Sequence, residues 1–246
     1  MCYSHSMLLS VRPVFYLFLL LLIVSGDIHP NPGPNGSMET DISFCHVNAR
    51  SILKPGRLEE LYLELCCLHQ FDIIGISESH LNNEIPDSDI NIPNYSAYRY
   101  DRNRFGGGVM LYIHDRFSCK RRPDLESNNV EMLWVEIKCH SSVAIVGVCY
   151  RPPNQSANEV DSFLETLEES LSAIRIQNNQ LIVLLGDFND RCQSWDSDHA
   201  GSEQGLRLVN LVQSVNMFQL VKSPTRNNNF NTRLNHNRLS RQISKC

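Results

Sequence analysis

The sequence predicts an α/β protein in which two β-sheets pack as a sandwich with helices outside. Short apolar runs of strand length recur along the chain, and several stop at a polar side chain. Longer segments between them carry apolar residues at helical spacing. Hairpin-like and helix-bearing connections alternate, as expected of packed sheets rather than a bundle.

Ile42–Asn48 (Ile-Ser-Phe-Cys-His-Val-Asn) is a half-alternating strand that stops at an amide. Residues 55–68 have apolar side chains at 58, 61, 65 and 68, one helix face, and Pro55 suits a first turn. Residues 71–78 form a second strand, which stops at a carboxylate, Glu78. Phe105-Gly-Gly-Gly-Val109 is a glycine-loosened loop entering a strand, and its spacing matches no phosphate-cradling glycine motif. Residues 131–138 are a strand whose Trp134 belongs to the core. Residues 143–150 form another strand, which ends at the phenol of Tyr150, before prolines that forbid further pairing. Residues 159–176 are an amphipathic helix carrying Phe163, Leu164, Leu167, Leu171 and Ile174. Residues 181–189 are an apolar strand that delivers Asp187 and Asn189 two positions apart. Strand alternation predicts that these two point the same way while Phe188 turns into the core. Residues 205–215 give a last helix, apolar at Leu206, Val209, Leu211 and Val212.

A single polar strand end is most simply an Asp or Asn turn. Four of them, at Asn48, Glu78, Tyr150 and Asp187/Asn189, form a site pattern, since α/β folds place their chemistry at strand ends. The ordered set Asn48, Ser77-Glu-Ser-His-Leu81, Phe105-Gly-Gly-Gly-Val109, Tyr150-Arg-Pro-Pro153 and Gly186-Asp-Phe-Asn189 resembles the endonuclease/exonuclease/phosphatase superfamily. More closely, it is similar to the apurinic-type endonuclease domain of non-LTR retrotransposons, over about residues 41–226. The resemblance implies that Glu78, with Asn48 beside it, holds Mg2+ (or Mn2+), a hard cation that takes few carboxylates. It implies that Asp187 positions and deprotonates the attacking water, that Asn189 holds water or phosphate, and that Tyr150 contacts the scissile phosphate or leaving oxygen. The reaction implied is in-line hydrolysis of a DNA phosphodiester.

The family pattern then departs from this chain. Such enzymes carry a further Asp on a later strand and a terminal Ser-Asp-His. Here the last acidic residue is Glu203, and only His236 follows His199. A literal Ser197-Asp198-His199 follows Gly-Asp-Phe-Asn too soon and reads as a surface segment. After Pro224-Thr-Arg226 the sequence becomes basic and Asn-rich. The expectation is a domain at 41–226 whose fold is incomplete at its C-terminus, and a disordered tail at 227–246.

Net charge is −5 over 246 residues, which argues against a general nucleic-acid-coating protein. Residues 99–122 nevertheless carry seven basic side chains against two acidic ones, with three tyrosines nearby. That run reads equally as a DNA-backbone edge or as a solvated charged loop. Arg102, Arg104 and Arg151 are the candidate substrate-binding cations. Nine cysteines, an odd number without Cys-x-x-Cys or zinc spacing, indicate a reducing compartment. Cys45, Cys139 and Cys149 lie in apolar runs and read as small buried hydrophobes.

Residues 14–24 are strongly apolar but shorter than the ~20 residues of a spanning helix, the size of a signal-peptide core. They lead into Asp27-Ile-His-Pro-Asn31-Pro32-Gly33-Pro34, which resembles 2A-type ribosome-skipping peptides, with His29 where the pattern has Glu. Residues 1–34 are therefore read as a leader with a skipping-like or signal-like motif, and 35–40 as a linker. The functional expectation is a Mg2+-dependent endonuclease that nicks target DNA for reverse transcription, alongside a reverse transcriptase of the same element. Cytoplasm or nucleus is favoured; a signal-like leader would mean the secretory pathway or membrane contact. Two alternatives stand: a non-catalytic remnant of a retroelement, and a phosphoesterase acting on a lipid or small phosphate.

Overall fold

The computed structural model describes residues 23–25, 42–139, 142–175, 181–189, 203–220 and 237–239. In chain order these form β1 (Ile23–Ser25), β2 (Ile42–Asn48), α1 (Arg57–Leu61), β3 (Ile73–Ser77), β4 (Tyr95–Tyr100), β5 (Val109–His114) and β6 (Ser118–Arg121). There follow β7 (Glu131–Cys139), β8 (Ser142–Tyr150), α2 (Ala157–Arg175), β9 (Leu181–Asp187), α3 (Glu203–Ser214), β10 (Met217–Gln219) and β11 (Asn237–Leu239). The expected α/β sandwich of two sheets with helices outside is what the strands build, and both sheets are mixed. One sheet runs β10-β1-β9-β8-β7-β6 and the other β11-β2-β3-β5-β4. Each has a four-stranded centre extended by three-residue strands.

Each sheet contains one parallel pair, and these two pairs set the site. β8 and β9 pair in register from Ala144↔Leu181 to Tyr150↔Asp187, with α2 as the crossover between them. β2 and β3 pair from Phe44↔Ile73 to Asn48↔Ser77, joined through α1. Parallel pairing brings both C-terminal ends of a pair to the same side, so Tyr150 and Asp187 emerge together, as do Asn48 and the start of the segment after Ser77.

Three apolar layers hold this arrangement. Between the sheets lie Phe44, Ile73, Leu111, Leu133, Val135, Val146, Val148 and Leu185. Trp134, Ile145, Ile182, Leu184 and Phe188 pack under Phe163, Leu167 and Leu171 of α2 and Leu208, Leu211 and Val212 of α3. Val47, Ile74, Ile76, Met110 and Tyr112 pack under Leu61 and Leu65 on the far side. Truncating a fully buried leucine such as Leu167 costs about 2–5 kcal/mol. α2 starts at a capping box: Ser156 N–H donates to Glu159 Oε2 at 2.7 Å, and Glu159 N–H donates to Ser156 Oγ at 3.4 Å.

Several expectations are corrected in detail. The helix at 55–68 is α-helical only over Arg57–Leu61 and widens to a π-helix over Tyr62–Leu68, where His69 N–H reaches Glu64 O. The wider turn carries Leu68 off the expected face, and it is 70% exposed. In α3 the buried stripe is Leu208, Leu211 and Val212, continued by Val215, and Leu206 faces outward. Cys45 and Cys149 are buried thiols with raised pKa, whereas Cys139 is only partly covered. Trp134 is in the core as expected.

Of the leader, only Ile23–Ser25 falls in the described residues, antiparallel between β9 and β10. Of the tail, only Asn237–Leu239 does, antiparallel to β2. The skipping-like motif Asp27–Pro34, Ser197-Asp198-His199 and Pro224-Thr-Arg226 lie outside the described residues. Among the described residues no helix is long and apolar enough to cross a membrane.

Candidate active site at the joined strand ends

The four polar strand ends meet, and Asn48 joins them. Its Nδ2 donates to Glu78 Oε1 at 2.7 Å and to Asp187 Oδ2 at 2.9 Å, one hydrogen to each carboxylate. Its Oδ1 accepts the Arg50 N–H at 3.2 Å, which fixes which way the amide faces. Tyr150 O–H donates to the same Glu78 Oε1 at 3.1 Å. One sheet thus supplies Asn48 and Glu78, the other Tyr150 and Asp187, and side chains bond across the cleft between them.

Burial sets the electrostatics. Asp187 is 1% exposed, and its pKa is pushed up to about 6 chiefly by loss of water. The hydrogen bonds from Asn48 and from Asn189 N–H pull it down, and the Glu78 charge pushes it up. Burial and then the Glu78 charge raise the Tyr150 pKa, so the phenol stays protonated and donates. Burial holds His80 below the ordinary histidine value, although Glu78 Oε2, 3.6 Å from its Nε2, draws it upward.

Asp187 and Asn189 are neighbours for a different reason than the one expected. The strand ends at Asp187, and Asn189 takes a left-handed turn at φ 46° rather than continuing the alternation. Its N–H bonds Asp187 Oδ1 at 3.1 Å, and its Nδ2 donates to Arg151 O at 2.9 Å. Phe188 does turn into the core, edge-on to Phe163.

The three candidate substrate-binding cations have different surroundings. Arg151 is 8% exposed and donates to Asn189 O. Arg102 bonds Glu131 at 2.7 Å and Gly106 O at 2.9 Å. Arg104 is exposed. The basic run as a whole is largely compensated. Arg99 pairs with Asp87 and Asp101, Arg116 with Asp72, Arg121 with Glu126, and Arg122 with Asp124 and Glu136. Most of these acids lie outside residues 99–122, so a local charge count overstates the patch.

Sequence reasoning missed Glu131. It is 9% exposed, opens β7 opposite Tyr150, and accepts the Gly108 N–H at 2.5 Å. Burial raises its pKa. An acid heading the apolar run Met132–Val135 was the available signal.

Comparison with known proteins agrees with the fold that carries this cluster. Residues 48–241 match the model of the Endonuclease/Exonuclease/phosphatase family. Among solved structures, the endonuclease domain of TRAS1, a telomere-specific non-LTR retrotransposon, superposes with a TM-score of 0.53 at 15% identity, covering 71% of this chain and 70% of that one. An AP endonuclease from Archaeoglobus fulgidus gives 0.51 at 16% identity, with 71% and 70% covered. A mannosyl-6-phosphatase from Bacteroides thetaiotaomicron gives 0.50 at 15%, with 69% and 70% covered. At these identities the likeness is one of fold. A search of the curated proteins returns no significant match. The family match over most of the chain, on a two-sheet sandwich whose four polar strand ends share one hydrogen-bonded cluster, identifies this protein as a member of the endonuclease/exonuclease/phosphatase family.

Proposed function

We propose that the chain hydrolyses phosphodiester bonds of DNA with Mg2+ or Mn2+, as the nicking endonuclease of a non-LTR retrotransposon. The observation that carries this reading is the pair of carboxylates, Glu78 and Asp187, held on one amide at the ends of two parallel strand pairs. The shared fold of the TRAS1 endonuclease domain and the archaeal AP endonuclease supports a nucleic-acid substrate.

The donor set fits a divalent hard cation. Both carboxylates are oxygen donors, and the Glu78 charge raises the cost of ionising Asp187, which a cation would relieve. Among the described residues no group of three or more His, Cys, Asp or Glu is arranged to cage a metal. That suits Mg2+, which keeps several waters and binds through one or two carboxylates. Glu78 would hold it with Asn48 adjacent, and when bound it would neutralise charge on the phosphate oxygens.

The chain's own groups divide the remaining work. Ionised Asp187 accepts the proton of the attacking water, whose oxygen forms the new bond to phosphorus as the bond to the leaving sugar oxygen breaks. The protonated Tyr150 hydroxyl donates toward the phosphate or the leaving oxygen. The Asn189 turn fixes Asp187 through its backbone N–H. The protein would act in the cytoplasm or nucleus beside a reverse transcriptase of the same element. The 27–34 motif is proposed to act in ribosome skipping, testable by cell-free translation of a reporter fused to residues 1–40: two products without membranes support skipping.

The mannosyl-6-phosphatase fold match favours one competing reading, a small phosphoester substrate. Incubating the full chain with supercoiled plasmid, and separately with a sugar phosphomonoester, in Mg2+ and in EDTA decides between them. Mg2+-dependent nicking with an idle phosphomonoester is the expected result; phosphate release without nicking assigns the small-substrate reading. Activity on neither from folded protein assigns a non-catalytic remnant.

A further inference from the structure

Glu78 owes its position to backbone outside its own strand. It lies one residue beyond β3 with φ 52°, a left-handed conformation that a side-chain-bearing residue adopts only when its surroundings impose it. The next two N–H groups, of Ser79 and His80, donate to the carbonyls of Gly108 and Gly107 at 3.1 and 3.0 Å. The glycine loop is thus the bed on which the 78–80 segment rests.

One carboxylate from the opposite sheet fixes that loop. Glu131 Oε2 accepts the Gly108 N–H at 2.5 Å, Oε1 pairs with Arg102 Nη1 at 2.7 Å, and Arg102 Nε returns to Gly106 O at 2.9 Å. Gly107 and Gly108 have φ of 67° and 83°, and a β-carbon at Gly107 would overlap the Arg102 guanidinium and the Glu131 carboxylate. Glu131 also sits opposite Tyr150 in the β7–β8 register, and Tyr150 donates to Glu78. A closed ring of contacts therefore runs from Glu78 through Tyr150, Glu131, Gly108 and Ser79 back to Glu78, crossing from one sheet to the other and returning.

We propose that Glu131 is a positioning residue of the active site. Through Gly108 and Arg102 it holds the 78–80 backbone so that the Glu78 carboxylate meets Asn48 and Tyr150. Its bond from Gly108 N–H is charge-assisted and buried, the kind of contact that is short and strong, and the pair with the more exposed Arg102 adds a second point of attachment. Misplacing a reacting group by about 1 Å costs up to ~100-fold in rate, so a clasp that sets one carboxylate is kinetically visible. The inference rests on the reading of Glu78 as the principal carboxylate of the site.

The test compares the full chain with Glu131→Ala and Glu131→Gln by plasmid-nicking kinetics in Mg2+ and by hydrogen–deuterium exchange. Glu131→Ala is expected to lower kcat by about 10- to 100-fold with KM for DNA nearly unchanged. It is expected to speed exchange at 79–80 while β8 and β9 keep their protection. Glu131→Gln, whose amide oxygen still accepts the Gly108 N–H, is expected to recover part of both losses. Wild-type kcat in Glu131→Ala, equal losses in both variants, or exchange that rises everywhere or nowhere overturns the proposal. If the wild-type chain cleaves nothing while exchange at 79–80 rises locally in Glu131→Ala, the nuclease reading falls and the positioning of Glu78 by Glu131 stands.

Discussion

Replacing His46 by leucine should remove an acid sensitivity built into the sandwich. His46 lies on β2 two residues before Asn48, 2% exposed, with neither ring nitrogen hydrogen-bonded among the described residues, and burial lowers its pKa from 6.5 to about 3. The folded state therefore keeps it neutral, while the unfolded chain binds a proton below pH 6.5. Its contribution is whole above that value and is lost as pH falls from 6.5 toward 3, at about 1.4 kcal/mol per pH unit. At pH 4.5 the loss is about 3 kcal/mol, a large share of a typical stability of ~5–15 kcal/mol. Asp187 acts oppositely, because its raised pKa makes the folded state the better proton binder between about 6 and 4. The clean quantity is thus the difference between His46→Leu and wild type, measured by urea unfolding in EDTA at about pH 7.5 and 4.5. That difference should shift toward the variant by about 3 kcal/mol, roughly 1 M urea in midpoint at slopes of ~2–3 kcal/mol/M. A difference that does not change with pH refutes the reasoning, since His46 would then hold a protonatable partner in the folded state.

Other outcomes follow from the same geometry. Because Asp187 must be ionised to accept a proton, nicking should rise with pH through about 6 and then level off, and a flat pH–rate profile would exclude it as the base. In Gly75→Ala the new β-carbon falls 2.8 Å from Leu185 Cδ1 and 3.3 Å from His46 Cδ2, so stability should drop by about 1–3 kcal/mol, read by thermal melting. Arg99, whose guanidinium bonds Asp87, Asp101, Ile85 O and Asn82 O, should prove structural. Arg99→Met should cost about 2 kcal/mol or more yet leave the salt dependence of DNA binding unchanged, whereas Arg104→Ala should reduce that salt slope by about one.

The fold was legible because apolar period and polar termination occur in the same segments: residues 181–187 read as an apolar strand and 159–176 as an amphipathic helix, while the parallel pairing that this helix crosses over emerges only from the strand register. The candidate site was legible for the related reason that Asn48, Glu78, Tyr150 and Asp187 interrupt apolar runs where chemistry is usually placed. What stayed hidden needed three dimensions. The π-widening that exposes Leu68 leaves the 58/61/65/68 spacing intact and shifts only the angle per residue. The basic run at 99–122 is compensated by Asp72, Asp87, Asp124, Glu126, Glu131 and Glu136, acids that a linear charge count places elsewhere. His46 looked like one polar position in a half-alternating strand, and only the packing of the sheets makes it a buried base with no hydrogen-bond partner among the described residues. Glu131 was one more charge at a strand start until the hairpin register set it opposite Tyr150.

The central claim is that Glu78 and Asp187, contributed by different sheets and joined through Asn48, act as one unit. The most direct test is a double-mutant cycle on nicking of supercoiled plasmid by the full chain in Mg2+, with Glu78→Gln, Asp187→Asn and the pair. Each single change should abolish most of the activity, and the double variant should be no slower than the slower single. Losses that multiply, or either single variant retaining wild-type nicking, would contradict a shared site.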